Sequence, residues 1–434
     1  MKSDTIAAVA TPAGTGGIAV VRLSGDDALH IALAHLDVDA LAPRHATYCR
    51  FDELDDVVAV YMPHGYTGEA TVELSCHGST YIQQAVLQAL CDSGARLARP
   101  GEFTMRAFAN GRLDLSQAEA VADLIEAATP AQHRLAVSQL RGGYAAELKA
   151  LRQHLVDLTS LLELELDFSQ EDVEFADRSE LRRLIGTLHE RVATLLDSFT
   201  TGNAIRRGIP VAIAGRPNAG KSSLLNALLD DDRAIVSPLP GTTRDTVEDT
   251  LTLNGLTFRF IDTAGLRHSD DPVESLGIER SCRAIAEAMI ILHVVDATDA
   301  IQATVNDIPD GKTITVINKC DLVANAPQNR DSDNEIHVSA KTGMGIDRLK
   351  EAMVTSTINM DTRDVMLSNV RHRDALRLVD QALANAERGL ADNTPADLVA
   401  VDLRDALYHL GTITGEVTGD DILQNIFGRF CIGK

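Results

Sequence analysis

Gly215-Arg216-Pro217-Asn218-Ala219-Gly220-Lys221-Ser222 is the stretch that decides the fold. It fits the G-x-x-x-x-G-K-[ST] pattern of a phosphate-binding loop. Its flanks agree. Ile209 to Ala214 is an apolar run that reads as a buried strand, and Ser223 to Leu229 reads as the start of a helix. The glycines let the backbone curl so that successive N–H groups point at phosphate oxygens. The helix N-terminus adds its positive end. In that arrangement Lys221 reaches the β- and γ-phosphates and Ser222 ligates Mg²⁺.

More motifs follow in order. In Gly241-Thr242-Thr243-Arg244-Asp245, Thr243 can give its hydroxyl to Mg²⁺ and its N–H to the γ-phosphate. Phe258 to Ile261 runs into Asp262-Thr263-Ala264-Gly265, where Asp262 can hold Mg²⁺ through water and the Gly265 N–H can bond the γ-phosphate. Met289 to Val295 is a core strand, and Thr313 to Ile317 leads into Asn318-Lys319-Cys320-Asp321. An Asp321 carboxylate accepts two hydrogen bonds from guanine, whereas adenine presents the wrong groups. Ser339-Ala340-Lys341 can offer a backbone N–H to the guanine oxygen. Each motif alone is weak. Five in order, each after a strand, identify the ligand as GTP or GDP. The alternation over 209–357 is that of a doubly wound α/β domain. Leu266 stands where Ras-like GTPases place the Gln that orients water, and leucine cannot polarise water. Glu274, in the loop beyond, is a candidate for that task; from its own residues alone it reads as one more surface carboxylate.

Composition narrows the class. The 434 residues carry a net charge of −23, which disfavours non-specific nucleic-acid binding. A nucleic-acid partner must then be held by local basic patches or by another protein. Arg96, Arg99 and Arg106, and Arg371, Arg373 and Arg377, read equally as tRNA contacts or as solvated faces. The six cysteines are scattered with no metal-ligand or C-x-x-C spacing, as expected of reduced thiols in a cytoplasmic protein. No signal peptide and no membrane span is expected.

The flanks differ from the centre. Residues 1–117 read as a mixed α+β domain, with strands at Ile18 to Val21, Val57 to Tyr61 and Thr71 to Leu74, and a helix at Ser79 to Cys91 stopped by Gly94. Residues 118–208 read as helices. Leu148, Leu151, Leu155, Leu158 and Leu162 form one apolar stripe, and Leu181, Leu184, Ile185, Leu188 and Val192 begin another. The acids between them (Glu163, Glu165, Asp167, Glu171, Asp172 and Glu174) read as a solvated helix end and loop rather than a metal site. Residues 358–434 return to helix, at Ala375 to Leu390 and Leu398 to Leu410. The economical expectation is an α/β unit, 209–357, inserted into one helical domain built from both flanks.

These residues carry a resemblance along the whole chain. Gly215 to Ser223, Asp262-Thr263-Ala264-Gly265-Leu266-Arg267 and the terminal Phe430-Cys431-Ile432-Gly433-Lys434 resemble the MnmE (TrmE) family of tRNA modification GTPases, whose chains end in C-[IL]-G-K. Thr11-Pro12 with Gly16-Gly17, Glu73-Leu74 with His77-Gly78, and Arg99-Pro100-Gly101-Glu102-Phe103 match as well. The resemblance implies a multidomain α/β protein. Its parts are an N-terminal α+β folate-binding-like domain that forms a homodimer, a discontinuous α-helical domain, and an inserted Ras-like P-loop GTPase domain. It implies a flavoprotein partner, MnmG, in a heterotetramer. It also implies addition of an aminomethyl or carboxymethylaminomethyl group at carbon 5 of the wobble uridine of certain tRNAs, with a 5-formyltetrahydrofolate-type folate supplying the one-carbon unit.

The same resemblance implies site residues. GTP would be bound by Asn218, Ala219, Gly220, Lys221, Ser222 and Ser223, by Ser237-Pro238-Leu239-Pro240-Gly241-Thr242-Thr243, by Asp262, Thr263, Ala264 and Gly265, and by the two base-reading motifs. Asn218 and the carbonyls of Ser237, Leu239 and Thr242 would hold K⁺ in a transient pair of G domains. Glu274 falls where the family places its water-orienting Glu. Arg22, Glu73, Arg112 and Lys434 would bind folate, Arg112 at a position that is basic in the family and often Lys. Cys431 is the family's proposed catalytic thiol; a small buried hydrophobe is the other reading of that side chain. The competing function is a regulatory GTPase switch in ribosome assembly or signalling, for which a folate-like N-terminal domain and a terminal Cys431-Ile432-Gly433-Lys434 have no use.

Overall fold

A computed structural model of the chain describes residues 4–167, 178–230, 249–261, 284–298, 312–323, 335–357, 365–392, 394–428, 430 and 433. The chain divides into two compact units. One comprises Met1–Ile125, Gln139–His189 and Leu378–Lys434; the other comprises Glu126–Ser138 and Glu190–Arg377.

The first unit contains a six-stranded sheet of β1 (Ile6–Val9), β2 (Ile18–Ser24), β3 (Ala46–Phe51), β4 (Asp55–Met62), β5 (Thr71–His77) and β6 (Arg96–Leu97), in the order β3-β4-β5-β2-β1-β6. All pairs are antiparallel except β1 with β6. Alternation sends Ala19, Val21 and Leu23 of β2 and Val72, Leu74 and Cys76 of β5 to one face, where they pack with Val86 and Leu90 of the helix Thr80–Asp92. Arg22 and Glu73, at the positions between, are left on the other face. The helix stops where expected: Gly94 sits at φ +111, beyond the reach of most side chains.

The leucine stripe becomes the buried face of the helix Gly143–Asp167, with Leu148, Leu151, Leu155, Leu158 and Leu162 all inside. It packs against the helix Ala396–Thr414, which buries Val399, Ala400, Leu403, Ala406, Leu410 and Ile413. Each such leucine contributes about 1.5–3 kcal/mol through removal from water, so two segments remote in sequence are held as one helical layer. Of the acidic cluster, Glu163 pairs with Arg404 at 2.7 Å. Residues 168–177 lie outside the described residues. Among the described residues no group of acids, histidines and cysteines could hold a metal ion. No helix among them is long and apolar enough to cross a membrane.

One reading of the arginines changes. Arg106 is buried, with ion pairs to Asp4 at 2.6 Å and to Glu69 and Glu102 at 3.2 Å each. Arg96 pairs with Asp4 and Glu102 at 2.7 Å each. The Arg106 charge is spent inside the domain, so Arg106 is not part of a solvated face or a free basic patch; Arg96 stays partly exposed while sharing its charge with Asp4 and Glu102. In the other group, Arg373 pairs with Asp374 at 2.6 Å and lies over the Phe199 ring.

The second unit contains the other sheet: β7 (Ile209–Gly215), β8 (Asp249–Leu253), β9 (Leu256–Phe260), β10 (Ile290–Asp296), β11 (Thr313–Asn318) and β12 (Glu335–His337), in the order β12-β11-β10-β7-β9-β8. Five strands run parallel, as the α/β alternation requires. The edge strand β8 runs antiparallel to β9. The cause is local: Asn254 and Gly255 both have positive φ, +48 and +78, which makes a two-residue hairpin turn. Both faces are covered. Val211, Leu292, Val294 and Val316 meet Leu224, Leu225 and Leu228 of the helix Lys221–Asp230 and Ile346, Leu349 and Met353 of the helix Ile346–Thr355. Ala212, Ile261 and Ile291 point the other way and pack with Ala288. With both faces apolar and covered, the free carboxyl ends of the strands are where a ligand is expected.

Candidate functional site

The phosphate loop bridges β7 and the helix Lys221–Asp230, and its glycines are required by contact as well as by torsion. Gly215 has φ +148, and a Cβ there would stand 2.3 Å from the Val294 carbonyl oxygen. Gly220 has φ +93, and its Cβ would stand 2.3 Å from Asn318 Nδ2. Asn218 adopts φ +65, which Asn tolerates better than most residues. Lys221 Nζ donates to the carbonyl oxygens of Gly215 at 2.8 Å and Arg216 at 2.9 Å. The ammonium is thus curled into the loop, and burial pushes its pKa down. A cation held only by neutral carbonyls gains strongly from an arriving phosphate.

The base-reading motifs meet this loop through one side chain. Asn318, at the end of β11, is buried; its Nδ2 donates to the Ala219 carbonyl at 2.9 Å and its Oδ1 accepts from the Ala340 N–H at 3.0 Å. The two contacts fix the amide orientation, since one needs a donor and the other an acceptor. Asp321 is exposed, and its Oδ1 accepts from the buried Ser339 hydroxyl at 2.7 Å. That bond turns the carboxylate without consuming its second oxygen. Lys341 is exposed beside them. Lys319 has φ +65, and its Nζ lies 2.6 Å from Asp296 Oδ2. Asp296 belongs to none of the nucleotide motifs. Its signal was a lone acid closing the apolar strand Met289 to Val295. Hydrogen bonding from Lys319 is the chief cause holding its pKa down to about 2.

Asn218, Ala219, Gly220, Lys221 and Ser222 are therefore gathered with Asn318, Lys319, Asp321, Ser339 and Ala340 at the carboxyl edge of the sheet; Ser223 is exposed on the next helical residue. Ser237, Pro238, Leu239, Pro240, Gly241, Thr242, Thr243, Asp262, Thr263, Ala264, Gly265 and Glu274 lie outside the described residues. The cradle without Cβ atoms and the waiting ammonium fit a nucleotide phosphate chain.

A second cluster sits on the open face of the first sheet. Arg22 and Glu73 are cross-strand partners, joined through Nε and Nη2 to Oε1 at 2.8 and 2.7 Å. The Arg22 guanidinium lies 5.7 Å from the centroid of the Phe103 ring. Its Nη1 donates to the carbonyl of Gly433 at 3.4 Å. Gly433 has φ +94, and a Cβ there would stand 2.4 Å from the Val9 carbonyl oxygen. Phe427 and Phe430 anchor the tail on Leu115 and Ala118. Gly433 is thus brought to Arg22. Arg112 is exposed, with its stem beside Gly68; among the described residues it makes no hydrogen bond or ion pair to Arg22 or Glu73. Cys431 and Lys434 lie outside the described residues. His77, in the stretch that carries Glu73, has Nδ1 2.7 Å from Asp55 Oδ1.

A family model described as the MnmE helical domain matches residues 115–431, and one described as the GTP-binding protein TrmE N-terminus matches residues 5–112. The chain belongs to the MnmE family of tRNA modification GTPases. A tRNA modification GTPase MnmE of Porphyromonas gingivalis is 47% identical over 99% of this chain and 98% of its own length. Those of Parabacteroides distasonis and Bacteroides fragilis are each 46% identical, over 99% and 100% of this chain respectively and 100% of their own lengths. Both clusters fall within the MnmE matches: Arg22 and Glu73 in residues 5–112, and the phosphate loop and base motifs in residues 115–431.

Proposed function

We propose that this GTPase of tRNA modification couples GTP hydrolysis to addition of an aminomethyl or carboxymethylaminomethyl group at carbon 5 of the wobble uridine. The reading takes residues 1–117 as a folate-binding and dimerisation domain and 118–208 with 358–434 as one discontinuous helical domain. Residues 209–357 are then an inserted Ras-like GTPase domain. It takes the flavoprotein MnmG as partner in a heterotetramer acting on tRNA in the cytoplasm. The observation that supports it is the Arg22 contact to the Gly433 carbonyl, which sets Gly433 beside Arg22 and Glu73. A switch that only bound partners would have no use for that junction.

In the GTPase step Lys221 exchanges the Gly215 and Arg216 carbonyls for the β- and γ-phosphates. Ser222 and Thr243 would hold Mg²⁺, which supplies charge neutralisation at the transferring phosphoryl group. Asp262 would support it through water, and Glu274 would orient the attacking water. Asn218, with carbonyls of Ser237, Leu239 and Thr242, would hold K⁺ between paired G domains. In the N-terminal domain Arg22, Glu73, Arg112 and Lys434 would bind a 5-formyltetrahydrofolate-type folate, and Cys431 would act at the one-carbon unit.

Two measurements test this. Mass spectrometry of tRNA from a deletion strain should show loss of the carbon-5 group at the wobble uridine; unchanged tRNA would sink the reading. Calorimetry with 5-formyltetrahydrofolate should show saturable binding that Arg22→Ala abolishes.

A further inference from the structure

We propose that Asp296 is a positioning residue of the guanine site: its carboxylate pins the Lys319 ammonium so that the lysine stem stands ready as one wall of the base pocket. This rests on reading Asn318-Lys319-Cys320-Asp321 as the guanine-recognition motif.

Strand pairing puts the two residues together. Asp296 is the last residue of β10 and lies opposite Asn318 in β11, and the next residue, Ala297, donates its N–H to the Asn318 carbonyl at 2.8 Å. Asp296 therefore stands beside the base-reading motif by register, not by the flexibility of a loop. Its carboxylate is also aimed. Oδ1 accepts from the Thr298 N–H at 2.9 Å and from the Thr298 hydroxyl at 2.7 Å, a local turn held by the side chain. With Oδ1 occupied twice, Oδ2 is left facing Lys319 Nζ at 2.6 Å.

An exposed lysine–carboxylate pair would contribute little, because a mobile side chain loses entropy to make it. This pair is different in two respects. The Asp296 side chain is only 17% exposed, and its carboxylate is oriented before the lysine arrives. Lys319 itself is held at φ +65, a conformation with a cost for a side chain of that length. The backbone and the ammonium are thus both fixed, and only the four-carbon stem spans between them. A stem held at both ends does not have to be ordered when a nucleotide binds, so that entropy cost is removed from the binding step.

The test uses the full-length protein and a fluorescent N-methylanthraniloyl derivative of GDP and GTP. Asp296→Asn keeps an acceptor for Thr298 but removes the anion. It should raise Kd about fivefold to tenfold, the equivalent of freezing one long side chain. The change should appear in the off-rate and in KM, while kcat at saturating GTP changes far less. Lys319→Met, which keeps the stem and loses the ammonium, should raise Kd similarly, and the double variant should be no worse than Lys319→Met alone. Wild-type Kd in Asp296→Asn, or effects that multiply in the double variant, would overturn the proposal. If Asp296→Asn does not fold, Thr298→Val loosens the carboxylate without deleting it, and an unchanged Kd there overturns the proposal equally. Asp321→Asn separates the underlying reading: it should weaken GTP and admit xanthosine triphosphate. If it leaves GTP affinity intact, guanine recognition itself is misassigned. If it switches preference while Asp296→Asn does nothing, only the positioning role falls.

Discussion

Asn318 Nδ2 and the Ala219 carbonyl, 99 residues apart, are joined by a 2.9 Å hydrogen bond in the buried floor between phosphate loop and base motif. Because the same amide also holds the Ala340 N–H, the two halves of the nucleotide site are one hydrogen-bonded piece. Gly220 packs on that amide so closely that its missing Cβ is part of the join.

Asn318→Ala should leave the Ala219 carbonyl and the Ala340 N–H without their partner. Stability of the G domain should fall by about 1–3 kcal/mol, measured by urea unfolding, and GTP affinity should fall with it. Asn318→Asp should be at least as damaging, because it places an acceptor against the Ala219 carbonyl. Unchanged stability in both variants would mean that the amide does not join the loops.

GTP hydrolysis should be faster in KCl than in NaCl at matched ionic strength, by roughly tenfold or more if the ion acts as an added transition-state charge. Asn218 is exposed in the phosphate loop at φ +65, and its side-chain oxygen would be the ligand for that ion. Asn218→Ala should erase the difference. Equal wild-type rates in the two salts would remove K⁺ from the mechanism.

The Glu102 carboxyl gives the N-terminal domain a pH dependence. Burial pushes its pKa up, but hydrogen bonds from Arg96, from the Arg99 N–H and from Arg106 outweigh that, and the net shift is downward. A carboxylate depressed in the folded state contributes stability that is fully present above the unfolded pKa and lost as pH falls through the folded one. Acid should therefore loosen this domain below the ordinary glutamate range. Glu102→Gln should cost about 3 kcal/mol at neutral pH and flatten the acid slope. Parallel stability–pH curves for the two proteins would refute the assignment.

Gly433→Ala should lift the tail, because its Cβ would meet the Val9 carbonyl and its φ is left-handed. Binding of 5-formyltetrahydrofolate should weaken while the intrinsic GTPase rate stays unchanged. Calorimetry and phosphate release, run on the same preparation, check both halves.

The parts legible in the sequence were those governed by local rules. Gly215 to Ser222 carried its own geometry, and the Leu148 to Leu162 stripe showed its period and hence its buried face. The Asn254-Gly255 pair is also a local signal, and it accounts for the antiparallel edge that the βα alternation alone does not announce. What was not legible was pairwise and long-range. Arg96 and Arg106 look like surface charge until the fold brings Asp4, Glu69 and Glu102 to them. Asp296 looks like a strand terminator until β11 lies beside it. Arg22 was grouped with Lys434 only through family resemblance, and its contact to the Gly433 carbonyl was not legible, since no periodicity links residues 411 positions apart.

That last contact sets a timetable for synthesis. Arg22 and Gly433 are separated by 411 positions, nearly the whole chain. The strands that carry Arg22 and Glu73 leave the ribosome early and can pair at once. Gly433 is made 411 residues after Arg22. The contact between Arg22 and Gly433 can therefore form only late, long after the strands that carry Arg22 and Glu73 have been able to pair.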